Sequence, residues 1–507
     1  MNHWLTILTL VPFLGGIIIA GLGAERKNLV RGLALATSLA GLGGAICMWL
    51  HFDPKSGGLQ FVEKFDWVPS LGIQYFLGVD GLGLLMVLLT AIVTPLAILA
   101  SWRMDDRPHV YHALILWLQA GLFGTFTALN FFHWFLFWEL GLIPAFFLIK
   151  LWGGPKRSPA ATQFFIYTMV GSVALLLSFL AIRLATGSFD FIELAAMAKS
   201  GVLITKLQAA FGWKNIGLII FFGAFLGFAV KVPLIPFHIW LPAAYSEAPS
   251  PVTMLLTGVM SKMGVYGFLR ILLPIFPDQI RQVLTPLLWL AVATIVLSAC
   301  AAFAQRDLKR MIAYSSINHL GYCLLALFAI VKFTADDSAR QAALSGLMLQ
   351  MFSHGLTAAT IFWFIALIEQ RANGQRGLND FGGLRKIAPV FTGLMGIALF
   401  SSLGLPGLNG FIPEFLIFKG AFPLVTWATS LSAIGLMITA IVMLTILQRV
   451  FSGPLNATWS TFPDLTSGER LALAPAIALM FVLGLYPQLL LGLIHTTVTL
   501  MTHQLKF

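Results

Sequence analysis

The chain is a succession of apolar runs, each close to the length of a membrane span, and that spacing leaves few folds open to it. A helix needs about 20 mainly apolar residues to cross ~30 Å of hydrocarbon. Fourteen segments meet this: 5–22, 29–51, 78–101, 111–129, 131–150, 162–186, 215–236, 250–272, 282–304, 312–331, 341–368, 388–419, 425–448 and 471–496. Charged residues make up 10% of the 507 residues and hydrophobic ones 58%, with a mean hydropathy of +0.89. A soluble protein carries roughly 25% charged residues, so the expected fold is an all-α polytopic membrane protein with a single integral membrane domain over 1–507.

The net charge of +11 does not indicate nucleic acid, because no basic run or aromatic-rich polar surface accompanies it. Most Lys and Arg lie in short loops between the runs, where topology alone accounts for them. The loops after odd-numbered helices hold most of this charge: Arg26, Lys27 and Arg31; Arg103 and Arg107; Lys150, Lys156 and Arg157; Arg306, Lys309 and Arg310; Arg371, Arg376, Arg385 and Lys386. Those loops are therefore expected on the cytoplasmic side, and both termini on the other. The first run has no charged leader and reads as a helix rather than a signal peptide. Residues 187–214 form the longest polar connection, and FIELAAMAKS within them suits a short amphipathic helix on the membrane surface. Cys47, Cys300 and Cys323 form no CxxC pair and read as small hydrophobes, and no haem, iron–sulfur or zinc pattern is present.

Two helices are interrupted alike. In the seventh, Lys231 is followed by Pro233 and Pro236; in the twelfth, Pro406, Gly407, Gly410 and Pro413 precede Glu414. Proline removes a backbone donor and breaks the helical ladder, which membrane helices tolerate where protein or water re-satisfies the freed groups. Paired breaks point to an internal repeat with ion sites near the midplane. Two inverted five-helix repeats are expected, helices 4–8 (111–272) and 9–13 (282–451), after three leading helices (1–110) and before a last helix and C-terminus (471–507).

Ionisable residues inside apolar runs are the candidate functional groups. A charge at mid-membrane depth costs at least ~2.5–3.5 kcal/mol on insertion scales. Glu139 has no Lys or Arg within a helical turn, so its partner must come from another helix, and Lys231 is the natural one. At ~4 Å and an effective dielectric of ~20 such a pair interacts by about 4 kcal/mol, so a movement that separates it switches a lysine between holding and giving up a proton. Arginine does not release its proton. The simpler role for the pair is to bolt two helices together. Lys262, His319 and His354 offer further titratable stops, although a lone His on an apolar helix is often a packing residue. Glu414, at the second break, is the expected last acidic stop. Lys419, five residues on, is expected to snorkel to the interface, and Asp80 to cap the third helix. His133, His238 and Glu247 lie near helix ends, where contact with water accounts for them. No GxSxG, HExxH, phosphate-loop or dinucleotide motif appears, so redox chemistry within the chain is not expected.

Four long stretches, in order, carry a family resemblance: WELGLIPAFFLIKLWG, FAVKVPLIPFHIWLPAAYSEAP, RDLKRMIAYSSINHLGY and GLPGLNGFIPEF. Together they resemble the antiporter-like proton-pumping subunits of respiratory complex I, NADH-quinone oxidoreductase, over nearly the whole chain. Glu414 at the twelfth-helix break sets the chain with the M-type branch (mitochondrial subunit 4, plastid-type chain 4), since the L and N sister chains typically carry lysine there. The resemblance implies a non-redox subunit that translocates protons while quinone is reduced elsewhere. Glu139, Lys231, Lys262, His319, His354 and Glu414 would be its relay. FMN, iron–sulfur clusters and quinone would reside in partner subunits. The implied partners are chains L and N, small membrane chains and lipid, in a bacterial inner membrane. The chain departs from the pattern at Ala243 and Tyr245, where many relatives carry Asp and His, and at Lys419. The alternatives are a subunit of a multisubunit cation (Na+)/proton antiporter, a solute carrier, for which no binding cluster is evident, and a scaffold with vestigial charges.

Overall fold

The computed structural model describes residues 3–332 and 336–504; residues 1–2 and 505–507, at the ends of the expected first and last segments, lie outside it. The chain enters through α1 (Trp4–Ala20) and α2 (Lys27–His51), then a hairpin of β1 (Gln60–Val68) and β2 (Ile73–Val79). Six helices follow: α3 (Gly81–Ala100), α4 (Pro108–Thr127), α5 (Phe131–Trp152), α6 (Arg157–Thr186), and the short α7 (Phe191–Lys199) and α8 (Val202–Phe211). The first interrupted span comprises α9 (Ile216–Lys231) and α10 (Trp240–Glu247), and leads to α11 (Ser250–Ile275). Then come α12 (Leu284–Phe303), α13 (Leu308–Ala329) and α14 (Asp337–Arg371). The second interrupted span is α15 (Pro389–Ser402) with α16 (Phe411–Leu424), followed by α17 (Thr426–Phe451), α18 (Ser467–Leu485) and α19 (Gln488–Gln504).

Among the described residues, eleven helices are long and apolar enough to span, or up to twelve if α8 and α9, bent by 104°, count as one span. The other expected spans correspond to the 17-residue α1 and the two interrupted helices. Each of the fourteen apolar runs thus forms helix, with three boundaries redrawn. The 215–236 run is helical as α9 only to Lys231, and α10 begins beyond its end, at Trp240. The 388–419 run divides at Leu403–Gly410. The 471–496 run is not one helix: α18 ends before Tyr486 and α19 starts after Pro487. Proline lacks the N–H and biases the residue before it away from helical geometry; Tyr486 accordingly sits at φ −130°, ψ 67°.

Helix ends are fixed by side chains. The Asp80 carboxylate accepts from Gly83 N–H (3.0 Å), as expected of a cap. Asp190 accepts from the amides of Ile192 and Glu193 at the head of α7, and Thr466 with Glu469 closes a capping box on α18. Each such cap contributes ~1 kcal/mol. The amphipathic helix expected in 187–214 is α7; the hairpin was not expected. Its Glu63, buried within β1, accepts from Leu5 N–H (2.8 Å) and so holds the first turn of α1.

Helices α3, α11, α13 and α14 are buried around almost their whole circumference and form the centre of the bundle. By contrast α6 turns Val170, Leu177 and Leu184 outward, an apolar face suited to lipid or a neighbouring subunit. Lipid tails supply no hydrophobic drive between helices, so close approach of small residues matters more. α9 meets α6 at Gly227, where a Cβ would lie 2.9 Å from the Gly171 carbonyl oxygen.

Candidate functional site

Four of the six candidate relay residues converge between α11, α13, α14 and α16. Lys262 is fully buried, and its ammonium lies 2.9 Å from His354 Nδ1, 3.4 Å from Ser261 Oγ and 2.5 Å from the Thr257 carbonyl oxygen. The helix supplies that last acceptor by loosening one turn. Ser261 N–H donates five residues back to Leu256 O (3.0 Å) rather than four back to Thr257. Such a π-turn frees a carbonyl and is frequent at functional sites. Because Lys262 donates to His354 Nδ1, a neutral His354 carries its proton on Nε2.

The imidazoles of His354 and His319 lie 4.9 Å apart, centre to centre, with planes 33° apart. His319 Nδ1 is 3.0 Å from Glu414 Oε1 and its Nε2 is 3.3 Å from Ser402 Oγ. The carboxylate only accepts, so Nδ1–H donates to Glu414 and Nε2 is left to accept from the hydroxyl. Gln350 donates to Glu414 (3.5 Å) from the α14 side. All four side chains are buried, so the series Lys262, His354, His319, Glu414 is a continuous polar thread through apolar surroundings.

The second break makes room for this thread. Leu403–Gly410 leaves helical geometry between Gly404 at φ +80° and Gly407 at φ +91°, values that glycine adopts without steric cost. Asn409 ties the loop to α14: its amide donates to Ser353 O (3.2 Å) and Thr357 Oγ1 (3.3 Å), while its oxygen accepts from Ser401. A Cβ at Gly410 would collide with the Ser401 carbonyl oxygen.

The first half is arranged differently from expectation. Lys231 ends α9 and is buried, yet no ion pair joins it to Glu139 among the described residues. Its ammonium instead lies 4.7 Å from the centre of the Trp138 ring, a cation–π contact worth about 2 kcal/mol or more when desolvated. Trp138 immediately precedes Glu139 on α5, and its indole N–H donates to Ser172 Oγ (3.0 Å), which holds the ring against the Lys231 ammonium. Glu139 is half-buried, and its Oε1 has no hydrogen-bond partner among the described residues. From Lys231 a cleft lined by Trp240, Tyr245, Leu256, Met260 and Ser261 leads toward Lys262, too narrow in this conformation to admit a water. Tyr245, one of the departures noted in the sequence, closes it by donating to Leu256 O (3.0 Å).

The remaining assignments divide. Lys419 is exposed and is not paired with Glu414 among the described residues. His133 is not explained by water: it is buried, 4.5 Å from the Tyr75 ring of the hairpin. Glu247 accepts from Lys156 N–H (2.8 Å) and joins two loops. Asp80 does more than cap α3, since it also pairs with Arg270 of α11. Lys309 and Arg376 are not merely topological charges. Glu369 takes both, at 3.2 and 2.8 Å, and accepts from Ser250 Oγ (2.7 Å), while Arg376 also reaches Asp307 (2.5 Å). This clamp ties the ends of α11, α13 and α14. Glu369→Ala would leave Lys309 buried without its carboxylate; breaking a buried pair typically costs ~3–5 kcal/mol. A lowered midpoint in thermal unfolding of the purified complex is the expected result, with Glu369→Gln falling between.

The clamp, Asn409, Gln350 and Arg270 were missed because polar residues within or beside apolar runs carry no mark of their partners. The signals that located this region were the proline–glycine breaks and the ionisable residues within apolar runs.

Residues 128–441 match the family described as NADH:quinone oxidoreductase/Mrp antiporter, TM. NADH-quinone oxidoreductase subunit M of Rhodobacter capsulatus is 34% identical over 507 residues, covering 98% of this chain and 96% of that protein. F(420)H(2) dehydrogenase subunit M of Methanosarcina mazei is 37% identical over 493 residues, covering 95% and 94%. Among solved structures, a chain of respiratory complex I from Thermus thermophilus with bound NADH superposes with a TM-score of 0.85 at 26% identity, over 99% of this chain and 100% of that one.

Proposed function

Because the chain belongs to the NADH:quinone oxidoreductase/Mrp antiporter family of membrane subunits, we propose that Glu139, Lys231, Lys262, His354, His319 and Glu414 are its proton relay. The protein is an integral membrane, proton-translocating subunit of the complex I family, part of a multisubunit assembly and without redox centres of its own. The curated relatives extend over nearly the whole chain and are named as subunits of electron-transfer dehydrogenases, which favours this assembly over a free-standing cation/proton antiporter. Their differing names leave the electron donor to other subunits.

The observation that supports the relay best is the buried thread from Lys262 to Glu414, in which neighbouring groups sit at hydrogen-bond or ring-contact distance. Protons would be taken up from the cytoplasmic side near Glu139 and Lys231. They would cross the cleft beside Ser261 when it opens, pass the two histidines and leave beyond Glu414. Closing the Glu139–Lys231 gap and opening the cleft are the movements through which quinone reduction would act. FMN, iron–sulfur clusters and quinone would sit in partner subunits, with chains L and N and the small membrane chains as neighbours. The halves 111–272 and 282–451 would be the inverted repeats, both termini would face away from the cytoplasm, and the membrane would be a bacterial inner membrane.

Lys231→Ala tests this in inverted vesicles holding the assembled complex. Quinone reduction and proton uptake are expected to fall together, because electron flow is coupled through this lysine. Uptake at the unaltered ratio to electron flow, with both rates undiminished, would make Lys231 a structural cation and remove the first half of the route.

A further inference from the structure

Where α3 begins, a pocket apart from the relay opens between α7, α11, α14 and α19. Its cavity is ≈ 380 Å³, within the ~300–1,000 Å³ range of small-molecule sites. The walls are mostly apolar, with Phe191, Leu269, Leu273, Ile330, Leu344 and Leu500 around it. Charge enters at two places. Arg270 lies inside, its side chain 10% exposed; one guanidinium nitrogen pairs with Asp80, while Nε is buried with no hydrogen-bond partner among the described residues. Lys199, at the end of the amphipathic α7, is exposed at the rim. Two cations against the single carboxylate of Asp80 leave the lining with one excess positive charge.

An apolar slot with a desolvated guanidinium inside and an ammonium at its mouth selects a ligand with one long hydrocarbon tail and an anionic head. α7 turns Phe191 and Leu194 into the protein and Lys199 outward. The lining comes from the ends of three spans, at Asp80 before α3, Leu273 at the close of α11 and Leu344 near the start of α14, so headgroups are level with the rim and the amphiphile within reach is the bilayer itself. We propose that this pocket seats one acyl chain of an anionic phospholipid, with its phosphate at Lys199 and Arg270. The lipid would fill the space between the two elements that close this end of the bundle, α7 and α19. α19 is otherwise tied to the head of α3 by the Gly81 N–H to Thr497 Oγ1 bond (3.0 Å).

The test uses the intact complex in phosphatidylcholine bilayers, with traces of phosphatidylglycerol or phosphatidylcholine carrying a photoreactive group on the tail. Mass spectrometry then maps the labelled residues. Labelling at Phe191, Leu273 and Leu344 is expected to favour the phosphatidylglycerol probe by about fivefold, the factor that one basic residue gives near an anionic surface. Lys199→Glu should abolish that preference, and Ala195→Trp, which places an indole in the slot, should abolish labelling by both probes. Neither residue belongs to the relay, so quinone reduction should persist in both variants and certify assembly. Equal labelling by the two probes would mean bulk lipid only. Protection of these residues from both probes would mean that a neighbouring subunit fills the pocket. Either result overturns the proposal.

Discussion

Lys262→Met is expected to stop proton uptake in inverted vesicles while leaving the complex assembled. Methionine keeps an unbranched, flexible stem and fills space adaptably, so the substitution removes the titratable head with little change in volume. The Thr257 carbonyl freed by the π-turn still accepts from Ser261 Oγ (3.0 Å), so the local backbone does not depend on the ammonium. What disappears is the ammonium that contacts both Ser261, on the cleft side, and His354. Positioned proton carriers commonly contribute ~10²–10⁴-fold to a proton-transfer step, and a loss of coupled turnover of at least ~10²-fold is expected. Lys262→Arg separates charge from titration: it keeps a cation but one that does not release its proton, so it should fail nearly as badly. An arginine variant that pumps normally would show that Lys262 serves as a fixed charge.

The sequence made much of this site legible, and the reasons differ by residue. Buried charge is so costly in a bilayer that Lys231, Lys262, Glu139 and Glu414 stand out on composition alone. The two breaks are legible because proline and glycine act on the backbone locally, whatever surrounds them. Partnership is another matter, since it depends on how helices rotate against each other. Nothing near Glu139 announces that Trp138 will take the Lys231 ammonium in place of the carboxylate. Likewise nothing near Arg270 points to Asp80, nearly two hundred positions earlier. The hairpin at Gln60–Val79 was legible in principle, from Phe65 facing Tyr75 and Val68 facing Ile73 across a Pro-Ser-Leu-Gly turn. In a chain dominated by twenty-residue runs, so short a signal does not stand out. The division of the last run at Pro487 went unread for a similar reason: hydropathy continues through the proline although the helix does not.

Glu414 and His319 are expected to behave as one functional unit. Their 3.0 Å contact lets the carboxylate stabilise an imidazolium when the relay is loaded, and Ser402 and Gln350 hold the two in register. Glu414→Gln keeps the shape and a hydrogen-bonding amide but removes the counter-charge, so His319 loses its reason to accept a proton from His354. His319→Gln removes the carrier itself. Each substitution should cut proton uptake per vesicle by at least tenfold, the effect of losing ~1.4 kcal/mol at the step that limits transfer. The double variant should be no worse than the more severe single, because residues in one hydrogen-bonded network do not add. Glu369→Gln, in the clamp at the other end of α14, supplies the control: it should lower stability while leaving uptake per electron unchanged. If the losses from Glu414→Gln and His319→Gln instead multiply in the double variant, the two act independently, and the thread from Lys262 does not end at this pair.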